Sequence, residues 1–453
     1  MIPAHDRGLP VITPELSPSA SGRASAAATA VRLCARDLVG GDTATVAALA
    51  RRLHAPEWAA VLDAVSPALH AYLHFRLSGA GVTAALPTDT AQTLARAGQA
   101  AAIMHLRQRS ALRRAVARLN SRGIEAVLLK GAAVGPTIYP ERSLRTMTDI
   151  DIWVPAGQLN AAVTSLLDHG FEVPARGHPT GRVSPAISQH RLRATDSGTL
   201  VELHGAVRSL EMLSPERVAR CFARAVPLSG DNEWPVRIPR ADDMLLHIAL
   251  HLAATNRFAN SQVGLLDLAL LLEARRDQFD WAAVVDDARN EGVAVYLTLA
   301  LVAAGLVWGA RVPPEFFALV GGIAHREALE ALALEQVWTA NTPLPYALER
   351  ILRQPTLGAR VAAAVRRAMI HHHVPDPSAS GTLVSRVRSL ARGVVHDLGV
   401  KVPGYARAWA RGDLAAAELK RRAQLARSRG QLGRLARDAE ARLHPPPPRG
   451  GGG

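Results

Sequence analysis

Two carboxylates, Asp149 and Asp151, stand two residues apart in the apolar run 148–154. Strand side chains alternate faces, so both carboxylates project to one face while Ile150 and Ile152 project to the other. Neighbouring carboxylates repel each other, and Mg²⁺ held by one or two carboxylates plus substrate phosphates would remove that repulsion. For so short a pattern taken alone, a solvated strand edge is the better reading. The residues around the pair change that balance.

An earlier apolar run, 125–129, is followed by Lys130 and Gly131. These two residues predict a phosphate site. Lys130 supplies a point positive charge, and Gly131 permits close approach of a ligand to the backbone. The N–H groups that open the following predicted helix can receive phosphate oxygens. Arg145, four residues before Asp149, can place a guanidinium on the phosphates or hold a carboxylate in place.

A third carboxylate, Glu202, lies in the predicted strand 199–207, which follows an Asp-Ser-Gly hairpin signal. In a small sheet this strand can lie beside the first, so that Asp149, Asp151 and Glu202 converge. Three convergent carboxylates can hold two metal ions, which stabilise the attacking and leaving oxygens of an in-line displacement at phosphorus. His204 shares the face of Glu202, and its role is open between support of that carboxylate and simple packing.

The motifs that carry a resemblance to a known family are Leu129-Lys130-Gly131-Ala132, Tyr139-Pro140, Arg145-x-x-x-Asp149-x-Asp151, Glu202-x-His204, Asp243-x-x-Leu246-x-x-x-Leu250-His251, Leu266-Asp267-Leu268-Ala269-Leu270-Leu271 and Asp280-Trp281. Together they resemble the uncharacterised bacterial nucleotidyltransferase family of the DNA polymerase-beta-like superfamily. The resemblance covers roughly 100–314 of this chain. Each motif alone is weak, and the combination is fairly specific.

The resemblance implies a minimal nucleotidyltransferase sheet in which Asp149 and Asp151 bind Mg²⁺. Glu202 then takes the third-carboxylate position, where it can help to deprotonate the attacking hydroxyl. The implied reaction moves a nucleoside monophosphate from an NTP to an unknown acceptor and releases pyrophosphate. The chain departs from the wider superfamily in one respect, because Lys130-Gly131-Ala132 replaces the usual Gly-Ser turn and offers no serine hydroxyl to the triphosphate.

Several other polar residues have more ordinary interpretations. His247 and His251 have the i, i+4 spacing that can bind Zn²⁺, but no third ligand is obvious, so we expect a packed or hydrogen-bonded pair. The resemblance reaches His251, which can also line a nucleotide cleft. Asp267 lies inside an apolar helix, where an unpaired charge is costly, so we expect an arginine or backbone partner rather than a substrate role. The histidines at 371–373 are expected at a solvated helix end.

The 453 residues allow two or three domains. We expect an α+β fold, with a small mixed nucleotidyltransferase sheet and flanking helices embedded between N-terminal and C-terminal helical regions. The predicted parts are a disordered N-terminus (1–24), a helical region (25–118), the nucleotidyltransferase α/β domain (119–240), a second helical domain (241–350) and a basic helical tail (351–453) that ends in a disordered Pro/Gly segment. The apolar segment 293–310 is expected to be a buried core helix rather than a membrane span.

The net charge of +14 is concentrated in the tail, where 19 arginines and lysines face six acidic residues from position 351 onward. Such a tail is compatible with nucleic acid, an anionic membrane or an acidic protein, although only Tyr405 and Trp409 are available there for base stacking. Two cysteines exclude a disulfide framework and fit a reducing compartment. With no secretory signal or transmembrane segment recognised, we expect a cytoplasmic protein.

Three functional hypotheses follow. The first is an Mg²⁺-dependent nucleotidyltransferase whose acceptor is a small molecule, a protein or RNA. The second is a catalytically silent nucleotide-binding or scaffold protein that keeps the fold. The third is a toxin-like transferase acting on RNA, which the basic tail suggests.

Overall fold

The computed structural model describes residues 20–174, 189–228, 235–338, 356 and 416–443. In these residues one mixed seven-stranded sheet is flanked by helices that come before and after it in the chain. The predicted α+β class is therefore confirmed. Residues 1–19, 357–415 and 444–453, which include the 371–373 histidines and most of the basic tail, lie outside the described part.

Helices dominate the chain on both sides of the sheet region. Those up to the first strand are α1 (Ala20–Gly40), α2 (Thr43–Arg52), α3 (Ala55–Ala64), α4 (His70–Gly79) and α5 (Thr88–Asn120). Those between strands are α6 (Lys130–Ile138), α7 (Leu159–Leu167) and α8 (Pro215–Ala223). Those after the last strand are α9 (Ala241–Leu250), α10 (Gln262–Ala274), α11 (Trp281–Asn290), α12 (Ala294–Trp308), α13 (Pro314–Val320), α14 (Arg326–Trp338) and α15 (Ala416–Leu443). Helix α1 begins at Ala20, inside the 1–24 segment that we predicted to be disordered.

The strands are β1 (Val127–Leu128), β2 (Asp149–Trp153), β3 (Phe171–Glu172), β4 (Gln189–Ala194), β5 (Leu200–His204), β6 (Val226–Pro227) and β7 (Arg237–Ile238). Their order across the sheet is β3-β4-β5-β2-β1-β7-β6. Strands β4 and β5 form the predicted hairpin around the Asp-Ser-Gly signal. Strands β6 and β7 and helix α8 fall outside the predicted elements.

The parallel pairing of β2 with β5 sets the geometry of the polar residues. In this register Asp151 lies opposite Glu202, and Trp153 lies opposite His204. Because paired residues in neighbouring strands project to the same face, the alternation predicted from the sequence puts all the polar side chains of these strands on one side of the sheet. The sheet thus builds a single polar face at its centre.

The opposite face of β2 and β5 belongs to the hydrophobic core. Ile150, Ile152, Val201 and Leu203 have no solvent-exposed surface. They belong to the same buried cluster as the apolar side chains of α7, which packs against β5. Burial of such side chains contributes roughly 1.5–3 kcal/mol each, so this face holds the strand register that aligns the polar residues.

Helix α12 lies in the core of the C-terminal helical region. Its side chains are buried on nearly every side, including Leu297, Ala300, Leu301 and Ala304. This confirms the prediction of a core helix for the apolar segment. No helix within the described ranges is both long and apolar enough to cross a membrane.

The predicted helix near the end of the basic tail is confirmed as α15, which packs on α12 and α14. Arg429 donates from Nε to Oε1 of Gln336 over 2.5 Å. Glu440 accepts a hydrogen bond of 2.8 Å from the backbone N–H of Val295 at the start of α12. This part of the tail is therefore docked on the protein itself.

Candidate active site

A strand-to-helix turn brings Lys130 to the polar face of the sheet. Strand β1 ends at Leu128, the N–H of Leu129 donates to the carbonyl of Asp151 over 3.1 Å, and α6 begins at Lys130. Lys130 adopts a φ of 45°, in the left-handed region that a non-glycine residue occupies at a cost of about 1–2 kcal/mol. Its Nζ lies 2.7 Å from Oδ1 of Asp151. The strained turn aims the ammonium group at the carboxylate.

Asp151 is a buried carboxylate held by two hydrogen bonds. Besides Lys130, Nε2 of His204 donates to the same oxygen over 2.8 Å. Burial alone would raise the pKa of Asp151, but the His204 hydrogen bond and the positive charge of Lys130 outweigh it and hold this pKa well below its usual range. Asp151 is therefore ionised at neutral pH although it is only 3% exposed.

Glu202, opposite Asp151 in the register, is held by side chains from the neighbouring strand β4. Arg191 donates from Nε to Oε1 of Glu202 over 2.7 Å, and its Nη2 contacts the same oxygen. Gln189 donates to Oε2 over 2.9 Å. Nη2 of Arg191 also lies 3.5 Å from Oδ2 of Asp149, which is the least buried of the three carboxylates. Arg191 thus bridges two of the predicted metal ligands.

Asp151, Glu202 and His204 form a group that suits a metal ion. Each offers one ligand atom, and these atoms all lie within 4.8 Å of one another. Carboxylate oxygens suit Mg²⁺ or Mn²⁺, and an imidazole nitrogen suits Zn²⁺. Nδ1 of His204 is buried and has no hydrogen-bond partner among the described residues. The convergent buried carboxylates fit a divalent cation, and in the described part of the chain no other group of three such residues converges in this way.

Arg145 pairs with a carboxylate of the C-terminal helical region rather than with those of β2. It forms a bidentate ion pair with Asp267 of α10, with Nε–Oδ1 at 2.7 Å and Nη2–Oδ2 at 2.8 Å. The hydroxyl of Tyr139 donates to Oδ1 of the same carboxylate over 2.6 Å. Burial would lower the pKa of Arg145, but the charge of Asp267 raises it above its usual value. Of the two roles considered for Arg145, the structure shows the holding of a carboxylate, and the arginine partner expected for Asp267 is confirmed.

Gly131 follows Lys130 at a crowded point beneath the turn. A Cβ atom there would lie 2.6 Å from Cγ of Met147 and 3.2 Å from Nη1 of Arg145. The first distance is shorter than real Cβ contacts, so the segment before β2 can approach α6 this closely only because position 131 lacks a side chain. Gly131 thereby permits close packing of Met147 and Arg145 on the turn.

The end of α9 brings two histidines close to the polar face. Nδ1 of His247 lies 2.9 Å from the hydroxyl of Ser209, and Nε2 of His251 lies 3.0 Å from the Asn256 amide. Burial, with the nearby charge of Lys130 as the second cause, lowers the pKa of His251 to about 3. The two rings lie 6.4 Å apart and each has its own hydrogen-bond partner, as expected for a packed or hydrogen-bonded pair. His251 opens the π-helical turn His251–Thr255.

The chain also matches a known protein family. Residues 54–309 match the model of a family described as uncharacterised nucleotidyltransferase. The match covers more than half of the chain. The protein belongs to this nucleotidyltransferase family. No curated protein matches the chain.

In this member of the family the structure brings Lys130, Asp151 and Glu202 into one cluster, with Asp149 at its more exposed edge. Arg145 contacts Asp267 instead. Of the two roles considered for His204, the structure shows support of a carboxylate, which is Asp151 rather than Glu202.

Arg191 and Gln189 were not predicted as site residues. The hairpin signal did not locate Arg191, because pairing outward from the three-residue Asp-Ser-Gly turn puts Leu192 opposite Glu202, whereas the observed register puts Arg191 there. Gln189 lies two residues before Arg191, on the same face of β4. Finding both residues therefore required the observed register.

Proposed function

We propose that this protein transfers a nucleoside monophosphate from an NTP to an acceptor hydroxyl or phosphate and releases pyrophosphate. The observation that carries the proposal is the register of β2 and β5, which sets Asp151 beside Glu202 in a chain that belongs to a nucleotidyltransferase family. Asp149 lies two residues earlier and projects to the same face. A polymerase-beta-like catalytic sheet is the arrangement that this geometry supports best.

The proposed cofactor is Mg²⁺, with two ions held by Asp149, Asp151 and Glu202. When bound, such ions neutralise charge on the phosphate and on the attacking and leaving oxygens. The buried and ionised state of Asp151 supports this assignment, because a carboxylate must be deprotonated to bind a cation. The hydrogen bond from His204 keeps that carboxylate in one orientation.

The chain supplies the remaining steps through its own side chains. Lys130 and the backbone N–H groups at the start of α6 would receive the phosphates of the NTP, since a helix N-terminus and an ammonium group both favour anions. Glu202 would accept the proton of the attacking hydroxyl. In these roles Lys130 and Gly131 bind the nucleotide, and Asp149, Asp151 and Glu202 carry the catalysis.

Arg145 supports this site indirectly in the proposal. Its side chain is committed to Asp267, and it packs against position 131 beside the turn that carries Lys130. We therefore assign it to positioning of the nucleotide-binding turn rather than to direct contact with phosphate. The predicted domain divisions at 118, 240 and 350, and the cytoplasmic location, remain proposals.

The test is incubation of the purified protein with α-labelled ATP, CTP, GTP and UTP, Mg²⁺ and a cell extract that supplies acceptors. We expect label to move from at least one nucleotide into a small-molecule, protein or RNA fraction, and the fraction identifies the acceptor class. The double variant Asp149→Ala with Asp151→Ala should lose the transfer. Calorimetric binding of NTP without any transfer would instead identify a silent nucleotide-binding protein, and equal transfer by the double variant would refute the proposed site.

A further inference from the structure

Arg191 lies across the opening of the carboxylate cluster. Its guanidinium donates to Oε1 of Glu202 and lies 3.5 Å from Oδ2 of Asp149. The side chain of Arg191 is 53% exposed, whereas that of Glu202 is 6% exposed. A half-exposed cation therefore covers a buried carboxylate that the proposed function assigns to metal binding.

This position conflicts with occupancy of the site by a divalent cation. The guanidinium takes up Oε1 of Glu202 and lies beside Oδ2 of Asp149, so its positive charge would repel a cation held between these two carboxylates. Arg191 must therefore move away for a cation to bind between Glu202 and Asp149. Its exposure makes that movement inexpensive, because the displaced guanidinium is already partly solvated.

The destination of the displaced guanidinium follows from its chemistry. The planar fork of an arginine matches a phosphate group through two parallel hydrogen bonds, and arginine is favoured wherever such bidentate recognition occurs. In the proposed reaction the polyphosphate of the NTP arrives at the carboxylates together with the cations. The polyphosphate then presents oxygens next to the position that Arg191 leaves.

We propose that the guanidinium of Arg191 changes partners during the reaction cycle. In the substrate-free protein it neutralises Glu202 and Asp149, and it moves to the NTP polyphosphate when metal occupies the carboxylates. The inference rests on the proposed function, since it takes an NTP as the ligand. Arg191 then pairs with carboxylates before the nucleotide binds and with phosphates afterwards, and both kinds of partner are negatively charged. It also gives the free protein a reason not to hold metal tightly before the nucleotide arrives.

The inference predicts shifts of opposite sign for two ligands. Arg191→Gln removes the competitor for Glu202, so the affinity for Mn²⁺ alone should rise by about three- to tenfold. The same change removes a phosphate contact, so the affinity for an NTP analogue in the presence of Mn²⁺ should fall by a similar factor of about three to ten. A residue that only supports the position of Glu202 would lower both affinities when it is replaced.

The experiment titrates the full-length protein by calorimetry, first with Mn²⁺ alone and then with the α,β-methylene analogues of ATP, CTP, GTP and UTP at saturating Mn²⁺. Neither measurement requires turnover. Arg191→Lys keeps the charge without the fork, and it should restore the weak binding of Mn²⁺ while recovering only part of the analogue affinity. Circular dichroism and thermal unfolding check that each variant is folded.

Arg193 provides the matched control, because it lies on the same strand and face and its replacement removes the same charge. Strand β4 pairs Arg193 with Leu200 rather than with Glu202. Arg193→Gln should therefore leave both affinities within about twofold of the wild type. A twofold change is about 0.4 kcal/mol, which lies within the range of a single surface ion pair.

Loss of both affinities in Arg191→Gln, or no change in either, would overturn the inference, and so would the absence of analogue binding by the wild type. The outcome separates this inference from the proposed function. Opposite shifts in a protein that transfers no label would leave the movement of Arg191 standing and would remove the proposed turnover.

Discussion

Arg145 and Asp267 form a buried bidentate ion pair that joins the segment before β2 to α10, 122 residues further along the chain. The side chain of Asp267 is 2% exposed. Tyr139 adds a third hydrogen bond to the carboxylate. The pair ties the α/β region that carries the carboxylates to the C-terminal helical region.

Breaking this ion pair should strongly destabilise the protein. Asp267→Asn removes the negative partner and leaves the guanidinium of Arg145 buried without compensation, which typically costs about 3–5 kcal/mol. The free energy of unfolding from urea denaturation should fall by about that amount. Because the pair also packs beside the Lys130 turn, NTP affinity should fall as well.

The double variant Arg145→Met with Asp267→Leu provides the control for this prediction. It removes both charges together, and replacement of a buried pair by apolar residues is often neutral or stabilising. We therefore expect it to recover a large part of the free energy lost in Asp267→Asn. Equal losses in the single and double variants would show that shape rather than charge governs this site.

Gly131→Ala tests the close packing beneath the Lys130 turn. The added methyl group would lie 2.6 Å from Cγ of Met147, and overpacking of this kind costs roughly 1–3 kcal/mol. Alanine also has the higher helix propensity, which is worth up to about 1 kcal/mol. We expect a net loss in the free energy of unfolding in the wild-type background.

The sign of this effect should reverse when Met147 is shortened. In a Met147→Ala background the clash is absent, so Gly131→Ala should become neutral or stabilising through its helix propensity. Urea unfolding of the four proteins of this double-mutant cycle measures the coupling. The same effect of Gly131→Ala in both backgrounds would exclude Met147 as the cause.

Local patterns predicted the elements that carry the polar residues. The alternation at Asp149 and Asp151 is a property of any strand, and the Asp-Ser-Gly turn set the hairpin that carries Glu202. Both signals act over a few residues, so a single sequence contains them. The prediction that β2 and β5 lie side by side needed only that both strands belong to one small sheet.

The remaining contacts depend on distant packing or on weak local signals. Several carboxylates lie close to Arg145 in the sequence, so the sequence alone does not indicate its partner. Only the packing of α10 brings Asp267 to Arg145. Strands β6 and β7 have two residues each, which is too short for a period to be recognised. Helix α8 did carry a start signal, since Ser214 caps the backbone N–H of Arg217. The left-handed backbone of Lys130 has no sequence signature, because lysine does not favour it.

Replacement of Asp151 should strongly lower activity. Asp151 is buried opposite Glu202 and accepts hydrogen bonds from Lys130 and His204. Asp151→Asn should lower kcat/KM by more than about 100-fold, because even outer-shell partners of a metal typically contribute 10–100-fold.

The matched control for Asp151→Asn is Asp196→Asn, which removes an exposed carboxylate paired with Arg114 at the hairpin turn. It should leave kcat/KM within about twofold of the wild type, as expected for a surface ion pair. Steady-state kinetics with the nucleotide identified by the labelling assay makes the comparison. Activity of Asp151→Asn equal to that of Asp196→Asn would place the chemistry elsewhere in the protein.

The two histidines at the end of α9 should make the protein less stable in acid. Burial lowers the pKa of His251 to about 3 and holds that of His247 well below its usual value, whereas histidine in an unfolded chain titrates near about 6.5. Below that pH the unfolded chain binds protons that the folded protein excludes, so the free energy of unfolding falls as pH falls. Each such histidine contributes at most about 1.4 kcal/mol per pH unit. His251→Gln should therefore flatten the dependence measured by urea unfolding between about pH 7 and about pH 4. An unchanged slope in His251→Gln would show that this imidazole takes up its proton in the folded protein.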